Sequence, residues 1–155
     1  LAKKRTDFRL VITGKGQYLD LLRSQAKDLN IEAYLQFAGF VSRTELLDLY
    51  RRSALFVFPT HYEGLPTSLL EAMACGMPVV STRAPGVVDL IDHEDNGLLA
   101  NIGDEKAIAA YIERLLADPS LAEKFGKRNR ARIEAQYDWE PVSKIIEREY
   151  HALVS

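Results

Sequence analysis

The sequence lacks several features that would point to particular classes of protein. It contains one cysteine, Cys75, so an internal disulfide is excluded and a reduced compartment is favoured. It has no apolar run long enough to span a bilayer, and its first residues lack the apolar segment of a signal peptide. We therefore expect a soluble, cytoplasmic protein in which Cys75 is a small buried residue and not a catalytic thiol.

An excess of charge of one sign is also missing. The 155 residues include 20 Lys and Arg against 22 Asp and Glu, which gives a net charge of −2. No overall field then favours nucleic acid or an acidic partner, and any bound anion has to be held by local groups. The hydrophobic share of 47% is enough for one sizeable core, so residues 1–155 are expected to form a single domain.

Short apolar runs alternate with helical patterns over the first hundred residues. The predicted strands lie at residues 9–13, 34–38, 54–58, 77–82 and 98–100. The predicted helices lie at residues 18–29, 42–49, 65–74, 84–91, 103–116, 119–137 and 140–153. Ser42 and Glu45 have the spacing of a capping box at the start of the second helix. This order predicts an α/β fold with a Rossmann-like open parallel sheet and helices on both faces.

Ligands of such sheets bind at the carboxyl ends of the strands. The loops at Gly14, Gly39, Pro59 and Thr82 are therefore predicted to form the site. Gly64 and the first turn of the helix at residues 65–74, with Pro66 in that turn, expose main-chain N–H groups that have no partner within the helix. Together with the helix dipole, these groups predict a phosphate-binding end.

Two carboxylates flank this predicted phosphate site. Glu63 precedes the helix, and Glu71 lies about two turns into it, among apolar neighbours that make a wholly solvent-facing position improbable. A carboxylate beside a phosphate repels it, whereas an ionised carboxylate accepts hydrogen bonds from two neighbouring hydroxyls. The pair therefore suggests that a ribose lies near Glu71 and a sugar lies near Glu63.

These residues resemble a known family. The spacing of Glu63 and Glu71, the Gly64-Leu65-Pro66 turn and the run at residues 71–80 are similar to the E-x7-E region of group 1 (GT4) glycosyltransferases. The similarity covers nearly the whole chain. It includes Gly14-Lys15-Gly16, Phe37-Ala38-Gly39-Phe40-Val41, Phe58-Pro59-Thr60, Gly97-Leu98-Leu99 and Tyr137-Asp138-Trp139.

The resemblance implies the GT-B architecture, in which two Rossmann-like domains face each other across a cleft. This chain resembles the C-terminal, donor-binding domain alone. The N-terminal acceptor domain and the first strand-helix unit, which carries an Arg and a Lys against the diphosphate, have no counterpart here. Leu1 to Lys4 look like the last turn of a helix, so we expect the sequence to be a fragment.

The resemblance also implies a role for individual residues. Glu71 would bind the ribose hydroxyls, and Glu63, as the catalytic-site residue, would orient the transferred sugar without forming a covalent bond to it. His61 is expected near the cleft without a catalytic role, and Arg83, which could approach the phosphates from the end of the fourth strand, is expected to be a solvated surface residue. The other donor-binding residues would be Gly14, Lys15, Gly16, Val41, Ser42, Arg43, Gly64, Leu65, Pro66, Thr67, Ser68 and Leu69, with residues 41–43 against the nucleobase.

The activity implied for the complete protein is retaining transfer of a hexose from a UDP- or GDP-linked sugar to a saccharide or lipid-linked acceptor. No cofactor or metal is expected, and no Asp-x-Asp motif is present. For the complete protein, peripheral attachment to the inner face of the membrane stays open. The fragment alone is expected to bind nucleotide weakly and to transfer nothing.

Two other functions are weighed against this one. A sugar-nucleotide epimerase of GT-B type would use similar donor contacts without an acceptor. A receiver-like or flavodoxin-like regulatory module would share the alternating elements, but receivers need clustered acidic residues after the first strand. Gly14-Lys15-Gly16 occupies that place, which makes the receiver the weaker alternative.

Overall fold

Five short parallel strands organise the chain. The structure is a computed structural model that describes residues 1–154, and these divide into one unit at Leu1–Leu49 and a second that starts at Tyr50. Strands β1 and β2 pair in the first unit, and β3, β4 and β5 pair in that order in the second. The predicted parallel α/β class is confirmed, whereas the single domain at residues 1–155 stays a prediction.

The first unit is built around β1 (Leu10–Thr13) and β2 (Leu35–Gly39), with helix α1 (Leu19–Asp28) and one 3-10 turn (Glu32–Tyr34) between them. Helix α2 (Arg43–Arg52) begins in this unit and ends in the second. The β1 and β2 ladder runs in parallel from the pair of Leu10 with Leu35 to the pair of Thr13 with Gly39.

The second unit contains β3 (Phe56–Phe58), α3 (Thr67–Ala74), β4 (Val79–Thr82) and β5 (Gly97–Ala100). Three helices follow them: α4 (Glu105–Ala117), α5 (Pro119–Gln136) and α6 (Trp139–Val154). A bilayer-spanning helix is not found among residues 1–154, because none of them combines enough length with enough hydropathy.

The central strand β4 is buried on both faces. Val79 packs in one apolar cluster with Leu69 and Met73 of α3, while its neighbour Val80 packs in a second cluster with Leu98 and Phe125. Successive side chains of a strand point to opposite faces, so a strand covered on both sides needs an unbroken apolar run. Val79 and Val80 supply this run in the first half of β4, and the buried polar residues Ser81 and Thr82 follow them.

Several elements differ from their predicted bounds, and β4 and α4 each begin two residues later than predicted, at Val79 and Glu105. Helix α3 begins at Thr67 and not at residue 65, and Pro66 is its N-cap, with an extended ψ of 92°. Strand β3 begins at Phe56 and not at residue 54. Residues 84–91 form hydrogen-bonded turns and no helix, because Gly86 has a φ of +78° that breaks the helical path.

Candidate functional site

The loop between β3 and α3 holds Glu63 through a chain of hydroxyl groups. Thr60 donates from Oγ1 to Glu63 Oε1 over 3.0 Å. The main-chain carbonyl of Thr60 in turn accepts from the hydroxyl of Thr82, and Ser81 Oγ donates to the carbonyl of Phe58 over 2.5 Å. Ser81 and Thr82 are buried at the end of β4. The carboxylate of Glu63 is therefore tied to the packed centre of the sheet.

The turn after β4 contacts the same loop through main-chain groups. The N–H of Glu63 donates to the carbonyl of Pro85 over 3.2 Å. A β-carbon added at Gly86 would lie 2.5 Å from the carbonyl oxygen of Glu63 and 2.8 Å from that of Gly64. These distances are too short for real atoms, so the close approach of the two segments requires a glycine at position 86.

The amino end of α3 is not closed by a side chain. Its N-cap is Pro66, which makes no side-chain cap hydrogen bond. The first hydrogen bonds to the Pro66 carbonyl come from Leu69 and Leu70, at 3.0 and 3.1 Å. Thr67 and Ser68 therefore present N–H groups ahead of the first intrahelical bonds, at the positive end of the helix dipole.

The predicted residues around this helix end differ in exposure. Gly64, Leu65 and Thr67 are exposed, while Pro66 is buried and Ser68 is half-buried. These five surround the amino end of α3, and their role toward a donor stays a prediction.

Leu69 is the least accessible of the predicted donor-binding residues in α3. Its side chain is fully buried, and its N–H is already bonded to Pro66. Neither the side chain nor the main-chain N–H of Leu69 is therefore available for a contact with a donor.

Glu71 lies on the exposed side of α3, contrary to the expectation that its apolar neighbours would keep it from solvent. The buried face of the helix carries Leu69, Ala72 and Met73. Because α3 begins at Thr67, Glu71 is its fifth residue and lies little more than one turn from the amino end. Glu71 therefore lies nearer to the amino end of α3 than the two turns that the sequence predicted.

Tyr50 contacts Glu71, although the sequence did not predict it as a site residue. The phenol oxygen of Tyr50 lies 3.4 Å from Glu71 Oε2 and 3.3 Å from the carbonyl oxygen of Ser68. Burial, with a further contribution from the Glu71 charge, raises the pKa of Tyr50 to about 12. The phenol is therefore neutral and able to donate at physiological pH. No local motif marks Tyr50, because the contact joins residues that are 21 positions apart.

His61 and Arg83 lie at the edge of this group. Both are exposed, and the main-chain N–H of Arg83 donates to the carbonyl of Ala100 over 2.8 Å. Within residues 1–154, neither side chain forms a hydrogen bond with Glu63 or Glu71. That neither side chain has a direct role stays a prediction.

The remaining predicted site residues belong to the first unit. Gly14, Lys15 and Gly16 follow β1 and are exposed. The N–H of Gly14 donates to the carbonyl of Gly39 over 2.6 Å, which ties the turn to the end of β2. A β-carbon at Gly14 or Gly16 would have no heavy atom of the described chain within 4 Å.

Val41, Ser42 and Arg43 lead into α2, and the predicted capping box is confirmed there. The N–H of Ser42 donates to Glu45 Oε2 over 2.7 Å, and the N–H of Glu45 donates to Ser42 Oγ over 3.3 Å. The carbonyl of Ser42 accepts from Leu46 over 2.9 Å. Both main-chain groups of Ser42 are thus engaged by the helix. A main-chain contact to a nucleobase would fall to Val41 or Arg43, and this role stays a prediction.

A cavity of about 240 Å³ lies where β3 and β4 begin, and Tyr50 is among its lining residues. It is lined in part by Ala54, Cys75, Pro78 and Glu123, and it includes neither carboxylate described above. Cys75 is half-buried there, and not buried as expected. Within residues 1–154, no group of three or more His, Cys, Asp and Glu side chains is arranged to hold a metal ion.

Comparison with known proteins gives concordant matches. The family model described as Glycosyl transferases group 1 matches residues 1–132. A glycogen synthase of Mycobacterium tuberculosis is 31% identical over 143 residues, which cover 92% of this chain and 34% of the relative. The chain thus spans about a third of the length of the curated relatives that it matches.

Solved structures show the same likeness. Sucrose-phosphate synthase of Thermosynechococcus elongatus superposes with a TM-score of 0.84 and 28% identity, over 94% of this chain and 38% of that protein. The TarM protein of S. aureus, solved in complex with fondaparinux, alpha-GlcNAc-glycerol and UDP, gives a TM-score of 0.86 and 28% identity, over 92% of this chain and 29% of that protein.

Proposed function

The chain belongs to the group 1 glycosyltransferase family, and on that premise we propose that it forms the donor-binding part of a retaining, metal-independent hexosyltransferase. The donor is a UDP- or GDP-linked sugar, and the acceptor is a saccharide or a lipid-linked saccharide. No resident cofactor takes part, because the nucleotide sugar is itself a substrate. Attachment to the inner face of a membrane in the complete protein belongs to the same proposal.

One observation carries this proposal. The open amino end of α3 is flanked along the chain by Glu63 and Glu71, and each carboxylate is held by one hydroxyl: Glu63 by Thr60 at 3.0 Å and Glu71 by Tyr50 at 3.4 Å. Main-chain N–H groups at a helix start bind phosphate. Fixed carboxylates accept hydrogen bonds from sugar hydroxyls on either side of it. A nucleotide diphosphate sugar has both kinds of group in one molecule.

The arrangement supports a separate role for each of these groups in the transfer reaction. Negative charge grows on the diphosphate as the glycosidic bond breaks, and the N–H groups of Thr67 and Ser68 stabilise that charge. Glu71 binds the ribose. Glu63 orients the hexose hydroxyls, while the departing phosphate takes the proton of the acceptor hydroxyl on the same face of the sugar.

Relatives support the class of donor. The TarM structure contains UDP, and the matched enzymes include a glycogen synthase and a sucrose-phosphate synthase. The two alternatives, an epimerase and a receiver-like module, find no support among these matches.

Isothermal titration of nucleotide sugars tests the donor site. We expect weak binding of a UDP- or GDP-sugar to the 155-residue chain, lost in Glu71→Ala and retained in Glu105→Gln, a control at the start of α4. Unchanged binding in Glu71→Ala contradicts the site, and a response to divalent metal without nucleotide supports the receiver.

Product analysis with the complete gene product tests the reaction. Transfer with retained anomeric configuration in the presence of a chelator is the expected result. The inverted anomer, or dependence on metal, contradicts the mechanism, and an epimerised nucleotide sugar formed without an acceptor supports the epimerase.

A further inference from the structure

The ring of Tyr50 is fixed by packing in the second unit. Only 6% of its surface is exposed. Its ring meets the edge of Phe56, with 5.9 Å between the ring centroids and an interplanar angle of 75°. Aromatic pairs favour this geometry, so that the position of the phenol oxygen is set by the core and not by its polar partners.

The phenol oxygen faces two acceptors on α3. One is the carbonyl of Ser68 and the other is Glu71 Oε2, at 3.3 and 3.4 Å. A phenol has one proton and donates it to one acceptor at a time. An ionised carboxylate is the stronger of the two acceptors, because a hydrogen bond to a charged group is roughly twice as strong as one between neutral groups.

Glu71 forms no other side-chain hydrogen bond or ion pair within residues 1–154. It is exposed, and an exposed glutamate side chain loses rotamer freedom when it closes on a ligand. A partner that already holds one carboxylate oxygen reduces that loss. It also leaves the second oxygen free to accept from vicinal hydroxyls.

We propose that Tyr50 is a positioning residue for donor binding: its hydroxyl holds Glu71 Oε2 so that the other carboxylate oxygen meets the ribose of the nucleotide sugar. The proposal rests on the function proposed above for Glu71. It assigns Tyr50 no contact with the reacting atoms.

The first test is Tyr50→Phe in the complete gene product, with Tyr111→Phe on α4 as the matched control. The ring and its packing are kept, and only the hydroxyl is removed. We expect the KM for the nucleotide sugar to rise about tenfold, in line with the loss of one hydrogen bond to a charged group. We expect kcat to stay within about twofold, because Tyr50 acts on binding in the ground state and the transition state alike.

A modified donor separates positioning from a merely structural role. A nucleotide sugar with a 2′,3′-dideoxyribose lacks the hydroxyls that Glu71 would bind. With this donor, Tyr50→Phe and the unmodified protein should have the same KM. A tenfold difference that persists with the dideoxy donor would mean that Tyr50 supports α3 in general, and would overturn the proposal.

Glu71→Ala and the double variant complete the experiment. If Glu71→Ala raises the KM and adding Tyr50→Phe raises it no further, the two residues act as one unit, as proposed. If the two increases multiply, Tyr50 acts independently and the inference is wrong while the proposed function stands. If Glu71→Ala leaves the KM unchanged, the donor site itself is wrong, and the inference is overturned together with it.

Glu71→Asp tests the other member of the proposed pair. The shorter side chain keeps the charge but withdraws the carboxylate from the phenol. We expect it to raise the KM for the ribose donor and to leave the KM for the dideoxy donor unchanged. An equal increase with both donors would contradict the proposal.

Discussion

The two units of the chain hold their shape in different ways. In the described residues 1–49, Ala26 is the one buried hydrophobic side chain, and contacts such as the Phe8 and Tyr34 ring stack lie near the surface. The second unit has fully buried side chains on both faces of β4. The carboxylates of the candidate site belong to this second unit. Their loop and helix are therefore fixed by a packed core, whereas Gly14, Lys15 and Gly16 depend on local hydrogen bonds.

The substitution with the largest expected effect creates a cavity in the core of the second unit. Phe125 of α5 is fully buried, and Phe125→Ala should lower the free energy of unfolding by about 3–5 kcal/mol. Leu22→Ala in α1 removes a side chain that is 41% exposed and should cost no more than about 1 kcal/mol. Denaturant unfolding measures both. Equal losses would show that the first unit has a core of comparable strength.

Gly86→Ala should have the next largest effect and should act on the site. The added methyl group would lie 2.5 Å from the Glu63 carbonyl oxygen, so the loop has to move. We expect a loss of about 1–3 kcal/mol in stability, together with reduced transfer by the complete gene product. Gly103→Ala is the matched control, since Gly103 has a similar φ of +81° but no heavy atom within 4 Å of the added carbon. If the two substitutions had equal effects, the loss would come from backbone strain alone and not from the contact with the Glu63 carbonyl.

Thr60→Val removes the hydroxyl that holds Glu63 while keeping the shape of the side chain. We expect kcat to fall about fivefold, which corresponds to about 1 kcal/mol for one lost hydrogen bond. Thr60→Ser should restore activity, because it keeps the hydroxyl. If the Val and Ser variants behave alike, the methyl group of Thr60 matters and its contact with Glu63 does not.

The sequence predicted the features that depend on near neighbours. The parallel α/β class and the membership of the group 1 family are confirmed, as is the capping box, which needs only Ser42 and Glu45. One of the wrong predictions has a tertiary cause. Residues 84–91 depart from a helix where Gly86 packs against the Glu63 and Gly64 carbonyls, and this contact has no signature within the segment itself.

The candidate site was predictable in part for the same reason. The spacing of Glu63 and Glu71 is visible in the sequence, but the hydroxyls that hold them are not. Tyr50 reaches Glu71 from α2, and Thr82 reaches Thr60 from β4. The side of α3 that Glu71 occupies was predicted wrongly, because apolar neighbours in a short helix do not show which face the core covers.

The smallest expected effect concerns the first unit, in which the capping box, and not a buried core, is expected to stabilise the start of α2. Hydrogen bonds from Ser42 hold the pKa of Glu45 below its ordinary value. A carboxyl group with a lowered pKa in the folded state stabilises the protein above its unfolded pKa, and this stabilisation is lost as the pH falls through the folded pKa. The start of α2 should therefore loosen on acidification. Glu45→Gln should make this region less stable at neutral pH and remove its dependence on pH.

Amide hydrogen exchange at residues 43–46 measures this loosening directly. Glu32→Gln is the control, because it also removes one negative charge but lies outside the capping box of α2. We expect faster exchange in the unmodified protein as the pH falls below the ordinary range of a glutamate, after correction for the intrinsic rate. Glu32→Gln should follow the same course, while Glu45→Gln should start fast and change little. If all three proteins exchange alike, the cap does not determine the local stability of the first unit. Its helices would then be held by packing, as those of the second unit are.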